Sequence, residues 1–227
     1  MKRKNLLFAV VLMMLGSMTA QAQKHQYYDT KHEVGIAIGG AANTEIIGGL
    51  AELTGIMVST LATTVVTGGT MTGTSYSYGS KEYIPALSAE YYYHVSKVVG
   101  VGGFVALNGM SRDMYVKWTD NVNGTSHVTK TGTARIRNVS VIPTAKFDWL
   151  RRKSIGLYSK LGAGVTFMHE SQKEEGEGGA DYSNTTVHFN FQATLLGFEA
   201  GSPRFRGFVE LGMGEQGLAL AGLRYKF

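Results

Sequence analysis

From Glu33 to the final residue, Phe227, apolar and polar side chains alternate with period two in run after run. Successive side chains of a strand point to opposite faces, so each such run has one apolar and one polar face. Eight runs carry the pattern: "EVGIAIGGAAN", "KEYIPALSAEYYYHVS", "KVVGVGGFVALNGMSRDMY", "RIRNVSVIPTAKFDWL", "SIGLYSKLGAGVTFMHE", "TTVHFNFQATLLGFEA", "RFRGFVELGMG" and "LALAGLRYKF". The last keeps alternating to its end, with Leu223, Tyr225 and Phe227 against Arg224 and Lys226. A domain ordinarily ends in a frayed, solvated tail. Here the last residue reads as part of a strand that pairs with the first run, near residues 34–38, and so leaves no open edge.

The connections alternate in length. "VSKV", "RRK" and "GSP" are short. The others include a long segment after Asn43, a polar stretch around residues 120–132, an acidic glycine-rich stretch around 171–182, and a tight turn near 215–217. Thirty glycines, three prolines and 11% aromatic residues fit such a β protein better than a helical one. The expectation is all-β: an eight-stranded antiparallel up-and-down barrel.

Which face is apolar decides between water and membrane. Val139, Val141, Ala145, Phe147 and Trp149 oppose Asn138, Ser140, Thr144, Lys146 and Asp148. Val187, Phe189, Phe191, Ala193 and Leu195 oppose His188, Asn190, Gln192 and Thr194. A soluble barrel or sandwich would hide the first set and wet the second. Three features favour lipid outside. The apolar faces carry almost no charge. Tyr91, Tyr93, Phe147, Trp149, Phe205, Tyr225 and Phe227 gather at the short-turn end, as an interfacial girdle would. Gly100, Gly102, Gly162, Gly164 and Gly212 lie on the polar face, where they make room in a narrow interior. The barrel is therefore read as transmembrane, with short periplasmic turns and longer extracellular loops.

The amino terminus agrees. "MKRKN", the apolar "LLFAVVLMMLG" and then Ala20 and Ala22 read as a secretory signal over residues 1–22, cleaved before Gln23, with residues 23–227 as the barrel domain. No cysteine is present, which excludes a lipid-anchored cysteine, disulfides and thiolate metal chemistry. The formal charge of +5 falls to about +2 without Lys2, Arg3 and Lys4, so the basicity gives no support to nucleic-acid binding. In the long first loop, residues 44–81, Ile46, Leu50, Leu53, Met57 and Leu61 recur at helical spacing. Gly48, Gly49 and the β-branched run that follows fit an irregular or extended loop equally well.

No constellation in the chain points to catalysis, a cofactor or a metal. His169, Glu170 and Ser171 are triad residue types, but neighbours on a strand face opposite ways. Glu90 and His94 share a face and read as satisfied interior groups. The polar face does carry Glu90, Lys146, Asp148, Lys160, Arg206, Glu210, Arg224 and Lys226. An eight-stranded barrel is just wide enough to be filled by side chains, so these charges are expected to pair across it. Glu210 and Arg224 come from adjoining final strands, with Glu90 and Lys160 reaching in from the opposite wall.

Together with the signal and the terminal aromatic, "YIPALSAEYYYHVSKVVGVGGF" and "GFVELGMGEQGLALAGLRYKF" resemble the OmpA/OmpX-like class of small outer-membrane barrels, within it a family of short barrels with no assigned activity. The resemblance implies outer-membrane residence in lipid, a monomer, and use of Tyr225 and Phe227 as the signal read by the barrel-assembly machinery. A structural or surface-interaction role through the loops is expected. A lipid-modifying enzyme and a narrow solute channel are the alternatives.

Overall fold

The structure is a computed structural model that describes residues 30–42, 71–120, 125–175 and 181–227. The strands are β1 (His32–Gly40), β2 (Met71–Tyr78), β3 (Glu82–His94), β4 (Val99–Asp120), β5 (Thr125–Arg151), β6 (Ile155–Glu174), β7 (Tyr182–Gly201), β8 (Phe205–Gly214) and β9 (Ala219–Lys226). Among the described residues there is no helix. The signal segment and the helical spacing at 46–61 lie outside the described residues.

Eight of these strands form a closed ring, each antiparallel to its neighbours. β1 pairs with β3 and with β9, and the β4–β5 pairing closes the circle. Closure runs to the last residue: His32 N–H donates to the Phe227 carbonyl at 2.9 Å, and Phe227 N–H donates back at 2.9 Å. β2 is not a ninth stave. It continues the line of β3 past residues 79–81 and pairs with the outer half of β4, Tyr78 opposite Met114 and Met71 opposite Asp120.

Parts of three stretches expected as loops are therefore ribbon, residues 171–174 at the end of β6 among them. Residues 71–78 of the first long connection are strand, and β4 and β5 stay paired out to Asp120 opposite Thr125, leaving a connection of only 121–124. "TSHVTKTGT" is rich in Thr, which favours the extended chain even where both faces are wet. The short connections at 95–98, 152–154 and 202–204 lie at the end where His32 meets Phe227.

Burial is inverted relative to a water-soluble protein. Leu161 is 61% exposed and Phe189 73%, while Lys160, next to Leu161 on β6, is 2% exposed. Ile36, Leu87, Val105, Val141, Val209 and Leu223 continue the exposed apolar belt round the other six strands. At the end of the short turns Tyr91, Tyr93, Phe147, Phe205, Tyr225 and Phe227 are exposed, and Phe227 stacks on His32 and Tyr225. Trp149 is half-buried, its indole N–H bound to Ser159 Oγ at 2.8 Å.

Candidate functional site

The inward set is charged, and inward glycines make room for it. A Cβ on Gly35 would sit 2.9 Å from Glu90 Oε1, and one on Gly197 would collide with the Tyr158 ring. Among the described residues the buried charges are six acids (Glu33, Glu90, Asp148, Glu199, Glu210, Glu215) and six cations (Lys146, Arg151, Lys160, Arg206, Arg224, Lys226), so the formal charge inside is balanced with His94 neutral.

They form layers. Nearest the termini, Glu33 meets Lys146 at 2.6 Å, Lys226 at 2.9 Å and His94 at 2.9 Å. Asp148 meets the other His94 nitrogen at 3.3 Å and Arg151 at 3.7 Å. Glu199 accepts from Arg206 and Arg224, each at 2.7 Å, and from Lys226. In the middle, Lys160 bridges Glu90 at 2.9 Å and Glu210 at 2.8 Å, and the Tyr158 hydroxyl donates to Glu210 at 2.6 Å. Arg224 ties the two layers: it pairs with Glu90 as well as Glu199, and its guanidinium lies 4.2 Å from the centre of the Phe208 ring.

The outer layer is made by a turn. Gly217 at φ +107° lets residues 215–218 fold back against Gly40, where any Cβ would strike the Gly40 backbone. Glu215 and Gln216 thereby enter the interior. Glu215 accepts from Asn108 and Asn190, each at 2.7 Å, and Gln216 donates to Ser88 at 2.9 Å while accepting from Lys160 at 3.1 Å.

Of the residues singled out from sequence, Glu90, Lys146, Asp148, Lys160, Arg206, Glu210 and Arg224 all lie buried in this network. Glu90, Lys160, Glu210 and Arg224 share one cluster, as expected from sequence. Arg224 sits opposite Arg206 in register, not opposite Glu210, so Glu210 is 3.6 Å away while Glu90 and Glu199 take the closer contacts. His94 lies between Glu33 and Asp148, at 2.9 Å and 3.3 Å. His169 is exposed on the outer face, bound to Thr185 at 2.9 Å, and Glu170 is on the opposite face of the strand. Tyr225 and Phe227 lie on the outer belt.

Glu33, Arg151, Glu199 and Glu215 were not found from sequence. Glu33 is in phase with Gly35 and Ala37, so alternation does carry a signal for it. Arg151 and Glu199 are out of phase because β5 and β7 each hold an extra residue, near Trp149 and Leu195. Glu215 sits in a turn that polarity alone assigns to water.

Glu33, His94 and Asp148 bring donor atoms within 4.8 Å of one another, the spacing of a metal cluster. The same carboxylates are already held by Lys146, Lys226 and Arg151, so a divalent ion would add two charges to a balanced set. The chemistry the arrangement supports is charge neutralisation and packing.

A scan against protein-family models finds no match, and neither does a search of curated proteins. Among solved structures the chain is similar to Ail, the attachment invasion locus protein of Yersinia pestis, in complex with the heparin analogue sucrose octasulfate. Identity is 15%, the TM-score is 0.41, and the match covers 87% of this chain and 99% of that one. At that identity and score the likeness says nothing about function.

Proposed function

We propose that this chain is an integral outer-membrane β-barrel, monomeric and with its interior filled, whose role is structural or surface interaction through the parts outside the membrane. The single observation that carries it is the inverted burial: Leu161 and Phe189 outside, Lys160 within. Soluble monomers do not surround themselves with a continuous apolar belt. Residues 155–167 of β6, at about 3.3 Å per residue and ~40° tilt, cover about 30 Å, the thickness of a hydrocarbon core. Closure of the ring meets the other condition of that solvent, that every backbone group be paired.

The balanced interior supports a filled barrel over a channel, because charges held in mutual pairs offer a passing ion no vacant partner. His169 and Glu170 lie on opposite faces of β6, an arrangement that does not make a triad of them. Lipid of the outer membrane is the solvent of the belt, and we assign Tyr225 and Phe227 to recognition by the assembly machinery. Fractionation tests the proposal. The chain should be recovered with the outer membrane, run as a compact band until boiled, and give no steady conductance in a planar bilayer. Recovery in buffer without detergent would overturn the membrane reading, and steady conductance would overturn the filled interior.

A further inference from the structure

Immediately outside the apolar belt, on one side of the barrel, the outer face turns cationic. The last apolar row there is Val139, Phe167 and Val187, in register across β5, β6 and β7 and all exposed. The next row is Arg137, His169 and Thr185, and the one after it Arg135, Ser171 and Ser183. Arg135, Arg137 and His169 are exposed. Consecutive outward positions on a strand are about 7 Å apart and neighbouring strands about 5 Å, so the two guanidiniums and the imidazole share a patch one phosphate group can bridge.

On β5, β6 and β7 no carboxylate shares the two rows. The adjoining outward residues of β4, Gly109 and Ser111, are neutral. Glu82 of β3 is in register with Ser111, two strands from Arg135, and Asp113 of β4, a row further out, is held by Lys130 at 3.1 Å and Thr133 at 3.1 Å. Those contacts, the Lys130 hydrogen bond first, keep its carboxyl below the usual range. Arg135, Ser171 and Ser183 open onto a concavity of about 650 Å³, with Lys173, Glu175 and Asp181 at its far end. Glu175 there is paired with Lys130 at 3.1 Å.

We infer that Arg135, Arg137 and His169, with the hydroxyls of Ser171 and Ser183, form a binding site for the phosphate of an outer-leaflet glycolipid headgroup. This rests on the membrane reading above, which puts these rows at headgroup depth. An anion at that depth faces fixed positive charge on the protein and apolar surface below it, and a phosphorylated glycolipid matches both.

Native mass spectrometry of the barrel, refolded in phosphatidylcholine vesicles and released in mild detergent, tests the site. The probes are bis-phosphorylated lipid A and the same lipid stripped of phosphate. The wild type should retain the phosphorylated form preferentially. Arg135→Gln and Arg137→Gln should each lower that retention about five-fold, with no change for the stripped lipid. Lys97→Gln, in the short turn at the other end, should leave both unchanged. Equal retention of the two lipids by the wild type, or undiminished retention by both arginine variants, would overturn the site. Failure of the membrane reading shows separately, as a wild-type chain that never gives a folded band in vesicles. The arginines are exposed, so each variant is expected to fold and the comparison stands on either one alone.

Discussion

Arg224 is the residue on which the interior depends most. It lies 1% exposed on β9, pairs with Glu90 and Glu199, has Glu210 at 3.6 Å, and lies against the Phe208 ring. Its carboxylate partners keep other cations: Lys160 for Glu90, Arg206 and Lys226 for Glu199. What Arg224→Met removes is the balance, leaving one uncompensated negative charge in a poorly hydrated space. We expect a loss of about 3–5 kcal/mol in a urea refolding titration in lipid vesicles. Arg224→Met combined with Glu90→Gln restores neutrality and should cost less than the single change. A double variant as unstable as the single would mean that the shape of Arg224, and not its charge, is what matters. Most of this network was legible from sequence, because Lys146, Lys160, Glu210 and Arg224 share a phase with small or polar neighbours. That Arg224 also takes Glu199 was not, since a partner on β7 is set by the curvature of the ring and the bulge before it rather than by spacing along one strand.

At the scale of the element, the bulges decide which residues point inward. β7 alternates up to Thr194, then presents Leu195 and Leu196 both outward, so Gly197 and Glu199 turn in. An extra residue opposite the Thr194–Gly212 and Leu196–Leu211 pairs does this. β5 does the same near Trp149, which turns Arg151 in to meet Asp148 and the Thr30 carbonyl, the latter at 2.7 Å. Plain alternation cannot see such a shift, because one unpaired residue reverses every later side chain. Deleting Leu195 should therefore remove the bulge and leave plain alternation, with Gly197 and Glu199 still inward and Leu196 and Phe198 still outward. That variant is expected to give a folded band in vesicles with only a small loss, whereas deleting Phe198, beyond the bulge, turns Glu199 toward lipid and should give none. Loss of the folded band on deleting Leu195, or normal refolding without Phe198, would show that β7 does not hold these phases. The ribbons beyond the belt were misjudged from sequence for a different reason. Polar residues on both faces look like loop, yet β4 and β5 satisfy each other's backbone out to Asp120 and Thr125.

At the scale of the molecule, the fold was legible almost entirely, since eight runs of one period, short turns at one end and a strand-like carboxyl end admit few topologies. The outer layer was not, because the turn that carries Glu215 and Gln216 inward depends on Gly217 meeting Gly40, a contact between opposite ends of the chain. The central claim is that lipid surrounds the belt and that β7 changes phase within it. The chain has no cysteine, so a single introduced one gives a unique nitroxide site. Scanning residues 187–198 in bilayers, collision with oxygen, which concentrates in hydrocarbon, should peak at Val187, Phe189, Phe191, Ala193 and Leu195, and then at Leu196 and Phe198. His188, Asn190, Gln192, Thr194 and Gly197 should be minima. Maxima at the second set, or access of a water-soluble relaxation agent to the first, would contradict the account.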